Sequence, residues 1–279
     1  MTPHPEPSFL EVHSGPLGRR YVLYHAPHHA IRGVVVYVHP FAEEMNKARR
    51  MAAMQSRALA TAGFAVLQID LLGCGDSAGD SGDATWQQWV DDVVEACRWL
   101  REKVGATPTL WLWGLRAGCL LAAEAAQRLP HACNFLFWQP TPAGKPLLQQ
   151  FLRLKTAGGL LSGQAKGVLA QLRAELAGGR HVEIAGYSLH PDLCAGLEQS
   201  TLRPPRRSAA ALEARVEWFE LSTLEGASLS PAASQGAAAW TEAGWQLRTH
   251  LVRGPSFWQT TEIEDAPELV AATLSSMAP

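Results

Sequence analysis

The sequence is short of cysteine, of any long apolar run and of any excess of charge. Five cysteines (Cys74, Cys97, Cys119, Cys133 and Cys194) are spread over 279 residues, odd in number and with no CxxC pair. That spacing argues against a disulfide framework or a structural zinc site and fits a reducing cytoplasm. No apolar run approaches the length of a membrane span, so stable membrane insertion is not expected. Met1 to Leu10 holds prolines and polar residues, without a basic region followed by an apolar stretch, and no secretory signal is expected there. A formal charge of −2 gives no basis for a nucleic-acid partner. His25, His28 and His29 lack partners at metal-ligand spacing, so neither metal nor cofactor is expected.

What the chain has is core-forming material. Hydrophobic residues make up 47% and charged residues 18%, the balance of a globular chain, and its length suits a single domain over 1–279. Gly33–Val38 is a β-branched run suited to a strand buried on both faces of a parallel sheet. A helix is expected from about Lys47 to Ala62, with Asn46 as N-cap and Gly63 as the stop. The strand from Ala65 to Asp70 follows, then a helix opened by a Thr85–Gln88 capping box and closed at Gly105. Further strands read at Thr109–Trp113, Asn134–Trp138, Ala214–Leu221 and Trp245–Val252, with a last helix near Pro267 to Met277. Tyr21 to Tyr24 is placed at an antiparallel edge.

This alternation implies right-handed crossovers and a mainly parallel, doubly wound α/β sheet. It breaks over residues 141–205, where two helical segments (Pro146 to Lys155 and Lys166 to Leu176) stand between glycine-rich pieces. That stretch reads as a cap inserted over the sheet. Glu225 to Trp240, rich in Ala, Ser and Gly, reads as a loop with a weak helix.

The most informative stretch is Leu112-Trp113-Gly114-Leu115-Arg116-Ala117-Gly118-Cys119. Glycines two before and two after a central residue, between a buried strand and a helix, mark a nucleophile elbow, whose strained backbone lifts the central side chain above the sheet. Ahead of it, His39-Pro40-Phe41-Ala42-Glu43-Glu44 ends the Val34 strand, where an oxyanion hole draws one backbone N–H; Pro40 has none, leaving Phe41 or Ala42 to donate. Asp70-Leu71-Leu72-Gly73-Cys74-Gly75-Asp76-Ser77 resembles the loop after the next strand in α/β hydrolases.

The wording of these motifs, with Gly254-Pro255-Ser256-Phe257-Trp258-Gln259-Thr260-Thr261-Glu262-Ile263, resembles the exosortase A system-associated hydrolase family, type 2. The resemblance implies the α/β-hydrolase fold and a bacterial protein encoded with exopolysaccharide-assembly and protein-sorting genes, and leaves the substrate open.

Arg116 stands where a nucleophile is needed. A guanidinium stays protonated and offers donors but no electron pair for attack. The stretch after the last strand, Gly254 to Trp258, carries no histidine, His250 lies within the strand, and Glu225 as an acid would have no histidine to orient. Ordinary Ser-His-Asp chemistry is therefore not expected. Glu43, Glu44, Asp76 and Arg116 converge on the C-terminal edge of the sheet as the candidate catalytic set. His39, Phe41, Ala42, Ser77, Leu115, Arg116 and Ala117 are the candidate ligand contacts. Two readings stay open: a hydrolase or transferase holding a small anionic or glycan-related ligand on Arg116 with Glu43 or Glu44 as acid or base, and a non-catalytic binder in which ion pairs replace the triad.

Overall fold

The computed structural model describes residues 4–12, 17–105, 108–157, 165–206 and 214–278. In chain order the strands are β1 (Glu6–Glu11), β2 (Arg19–His25), β3 (Gly33–Val38), β4 (Phe64–Ile69), β5 (Leu110–Leu115), β6 (Asn134–Trp138), β7 (Val182–Ile184), β8 (Tyr187–Leu189), β9 (Arg215–Ser222) and β10 (Gln246–Arg253). The helices are α1 (Glu43–Thr61), α2 (Trp86–Val104), α3 (Ala117–Ala126), α4 (Gly144–Ala157), α5 (Ala165–Ala177), α6 (Pro191–Gln199), α7 (Pro231–Glu242) and α8 (Pro267–Ser276).

Among the described residues the main sheet has eight strands in the order β1-β2-β4-β3-β5-β6-β9-β10. The six from β4 to β10 run parallel, and β2 is antiparallel to both its neighbours, β1 and β4. The β2 strand is antiparallel as expected but is not the edge, because β1 pairs outside it from Glu6↔Tyr24 to Glu11↔Arg19.

Alternation along each strand sorts the core into two layers. Val34, Val36, Leu112, Phe135, Phe137 and Trp218 face the side of α2 and α3. Val35, Trp111, Trp113, Leu136, Trp138 and Phe219 face the side of α1 and α8. Both layers bury tryptophan, and ring pairs such as Trp113–Trp138 (4.6 Å, 69°) pack edge to face.

Local chemistry sets both ends of α2. The Thr85 side chain accepts from Gln88 N–H, the Gln88 side chain accepts from Thr85 N–H, and Gly105 closes α2 at φ 95°. The α1 helix departs from expectation: it starts at Glu43, four residues before Lys47, and its N-cap is Ala42 rather than Asn46. No side chain caps it; a backbone turn at Ala42 (φ 50°, ψ −129°) begins it. The weak helix expected within 225–240 is the full helix α7, capped by Ser230 accepting from Ala233 N–H with Pro231 in its first turn.

Over 141–205 the two expected helices are α4 and α5, and the glycine-rich piece 158–164 between them lies outside the described residues. The β7–β8 hairpin and α6 were not expected. This segment packs back on the rest of the chain, where Phe151 meets Phe41 (5.1 Å), and within itself, where Phe151 meets Tyr187 (5.9 Å). Gly196 of α6 seats against Trp86, where an added Cβ would lie 2.2 Å from Trp86 Cβ.

Candidate active site

The β5–α3 turn has the geometry its glycines require. Arg116 sits at φ 55°, ψ −116°, a region L-residues rarely adopt, with its N–H donating to Trp138 O (3.1 Å) and its carbonyl accepting from Cys119 N–H (3.1 Å). A Cβ at Gly114 would lie 2.5 Å from Cys119 N, and one at Gly118 would lie 2.1 Å from Val38 O. Larger residues are excluded at both positions. Leu115 and Ala117 are buried beside the apex. Ala117, the first helical residue, has an N–H that the helix itself leaves unpaired.

The Arg116 side chain ends against Glu44. Its Nε and Nη2 each lie 3.4 Å from the same oxygen, Glu44 Oε1. Gln259 Nε2 donates to that oxygen as well, at 3.4 Å. The pair is largely enclosed, with side-chain exposures of 15% for Arg116 and 12% for Glu44. Trp258, in the stretch after β10, completes the enclosure with its ring centroid 5.7 Å from the guanidinium carbon. Burial raises the Glu44 pKa above the ordinary carboxylate value, and Arg116 and Gln259 pull it back down.

Glu44 also forms one wall of a cleft of about 220 Å³, lined further by Phe41, Glu43, Phe151, Trp258 and Gln259. Phe41 separates it from a second chamber of about 180 Å³ on the side of Ala42, Cys74 and Tyr187. Of the four candidate catalytic residues, Glu43 and Glu44 line this cleft, and Arg116 is joined to it through its contact with Glu44.

Asp76 does not join them. It is exposed in the loop after β4, its N–H donating to Asp70 Oδ2 (3.1 Å). That same oxygen accepts from Arg49 Nη2 (3.1 Å), so the acidic loop is turned toward α1 rather than toward the elbow. Ser77 closes the loop, its hydroxyl donating to Asp70 O and accepting from Tyr21 N–H (2.8 Å). His39 is buried with both ring nitrogens engaged: Nδ1 meets Pro40 O at 2.8 Å and Nε2 accepts from Leu71 N–H at 3.3 Å. This pattern assigns the hydrogen to Nδ1, and burial lowers the His39 pKa. Phe41 and Ala42 are buried where β3 passes into α1.

Other nucleophiles and bases are committed elsewhere. Burial pushes the Cys74 thiol up to about 12 and the Cys119 thiol well above its ordinary value. His250 Nε2 lies 2.7 Å from Glu217 Oε2, its ring stacked on Phe219, and Glu225 is exposed. Among the described residues no group of three or more His, Cys, Asp and Glu is placed to hold a metal ion. Trp258 and Gln259, which sequence reasoning did not single out as site residues, have no local signature. Only their place after the last strand pointed to the site.

The sheet order and the elbow define an α/β-hydrolase fold. Residues 29–202 match the family described as serine aminopeptidase, S33, and the chain belongs to that family. Human protein ABHD12B is 32% identical over 96 residues, covering 34% of this chain and 25% of the human protein, so the match spans about a quarter of that relative. Est1E from Butyrivibrio proteoclasticus, solved with ferulic acid bound, superposes with TM-score 0.66 at 12% identity over 97% of both chains. A thermostable carboxyl esterase from Bacillus coagulans does so with TM-score 0.66 at 14% identity, over 99% of this chain and 98% of its own. Among the described residues no helix is long and apolar enough to cross a membrane.

Proposed function

We propose that this protein is a hydrolase or transferase with a site rebuilt around Arg116, acting on a small anionic intermediate of bacterial exopolysaccharide assembly. The contact between Arg116 and Glu44 at the wall of the cleft carries the reading. A substrate phosphate or carboxylate competes with Glu44 for the guanidinium, which binds such groups through paired N–H donors. Glu44, released from its cation in a buried site, then holds a proton more readily and serves as general acid, with Glu43 beside it as base. Residues 141–205 act as a cap, supported by the contribution of Phe151 to the cleft. The link to exopolysaccharide and exosortase systems rests on the motif resemblance.

A second reading, a non-catalytic binder of the same ligand class, is supported by two departures from the triad. The elbow carries Arg116 in place of a nucleophile, and the stretch Gly254 to Trp258 after the last strand carries no histidine. Turnover of sugar phosphates and uronic acids by wild type and Glu44→Gln separates the two. Turnover that falls at least about a hundredfold in the variant supports the enzyme. Binding that depends on Arg116, without turnover, supports the binder.

A further inference from the structure

Three residues that line one cleft each carry a buried polar atom without a partner. Glu43 Oε2, Glu44 Oε2 and Trp258 Nε1 are each shielded from solvent, and none has a hydrogen-bond partner. All three residues line the same cleft of about 220 Å³, beside the rings of Phe41 and Phe151, the amides of Gln150 and Gln259, and Lys47, whose ammonium donates to Gln259 O at 3.4 Å. Unpaired buried polar atoms cost stability and are few in folded proteins, so a cluster of them in a cavity wall calls for a partner from outside the chain.

The three atoms ask for different things. The carboxylate oxygens need a donor and the indole N–H needs an acceptor. An ammonium group only donates, and a phosphate dianion only accepts. A hydroxyl does both. Once the carboxylates turn toward the cleft, hydroxyls on one compact ring can donate to them and accept from the indole N–H, while the ring's C–H faces pack on Phe41 and Phe151. The planar amides of Gln150 and Gln259 add further donors and acceptors at the rim. We infer that the cleft of Glu43, Glu44 and Trp258 is a subsite for a polyhydroxylated ring, a pyranose unit. The inference deepens the proposed function, resting on the reading that this cleft is the ligand site, and it assigns the neutral part of the ligand to different residues from the anionic part. Side-chain rotation within the cleft is all that binding requires, the usual scale of change at preformed sites.

Saturation-transfer NMR and calorimetry on the full chain test this with methyl glycosides of glucose, galactose, mannose and N-acetylglucosamine. Inorganic phosphate and ethylammonium serve as single-function probes. At least one glycoside should bind, and Glu43→Leu should weaken it by about tenfold or more. Glu43→Gln, which keeps the shape, should weaken it less and protects the test should the leucine variant misfold. Phosphate binding lost in Arg116→Ala, with no glycoside binding at all, would overturn the subsite and leave the anion site standing. Glycoside binding that Glu43→Leu and Glu43→Gln leave unchanged would also overturn it, as would ethylammonium binding more tightly than every glycoside. Glycoside binding sensitive to Glu43, without any phosphate binding, would uphold the subsite and remove the anion site.

Discussion

Ala42 and Arg116 share one rare backbone conformation, φ 50° and ψ −129° in the first, φ 55° and ψ −116° in the second. Each is the N-cap of a helix, and neither helix has a side-chain cap. At Arg116 the strain presents a side chain to the site. At Ala42 it turns the end of β3 into α1 and so places Glu43 and Glu44 at the cleft.

The Ala42 strain is therefore separable from side-chain chemistry. Glycine adopts this region without the Cβ clash but has more entropy to lose on folding. Relief of roughly 1–3 kcal/mol against an entropic cost of roughly 0.5–1 kcal/mol leaves Ala42→Gly more stable by about 1 kcal/mol. Chemical denaturation measures it, and a destabilised variant would show that the turn is not strained in solution.

Fluorophosphonate probes should not label the protein. Labelling needs an activated serine, whereas the elbow carries Arg116, and Ser77 is buried with its hydroxyl held between Asp70 O and Tyr21 N–H. Arg116→Ser should remain a poor esterase, because Trp258 rather than a histidine stands beside the apex. Intact-protein mass spectrometry after probe treatment reads both, and stoichiometric labelling of the wild type would refute the expectation.

What was legible in the sequence is what local sterics dictate. Gly114 and Gly118 announce the elbow because no Cβ fits at either place, and Thr85 with Gln88 announces the start of α2 because the cap is made within one turn. The onset of α1 was misread because its signal is backbone strain at Ala42, which leaves no capping side chain to recognise. Asp76 stands apart from the other candidates for a related reason: Asp70 captures its N–H and the Arg49 guanidinium, folding the loop on itself. Neither Arg49, one helical face away in α1, nor Trp258, far along the chain, could be brought to its partner by periodicity alone.

Acid should act on stability through His25. It is buried, its Nε2 accepts from Gln68 Nε2 (3.1 Å), and burial, with Arg57 adding, lowers its pKa from 6.5 to about 4. A depressed folded-state pKa contributes stability that is fully present above pH 6.5 and is lost as pH falls toward about 4. Buried Asp92, paired with Arg20 at 2.8 Å, works the other way: burial raises its pKa to about 6, so its contribution grows as pH falls through that value. Wild-type stability mixes the two effects, and a variant isolates one. The stability gap between wild type and His25→Gln should narrow by up to roughly 3 kcal/mol from pH 7 to pH 4. A gap independent of pH would rule out titration of His25.

The pairing of Arg116 with Glu44 makes the sharpest energetic claim. Removing one partner of an enclosed ion pair strands the other charge, at a cost of about 3–5 kcal/mol for fully buried, well-oriented pairs. Here both nitrogen contacts are 3.4 Å and converge on one oxygen, and exposures of 15% and 12% leave some solvent screening. Arg116→Ala should therefore cost about 2–3 kcal/mol, near the lower end of that range. Stranded in its place, Glu44 would answer by taking up a proton. The loss should accordingly shrink as pH falls, because its raised pKa would rise further without the cation. Glu44→Gln in the Arg116→Ala background removes the stranded charge and should restore more than half of the loss. A double-mutant cycle by urea denaturation at pH 7 gives the coupling directly, expected at about 1–2 kcal/mol. A coupling near zero would mean that the guanidinium is solvated and free. Arg116 would then be open to an anion at no cost to Glu44, and the competition on which the proposed chemistry depends would be lost.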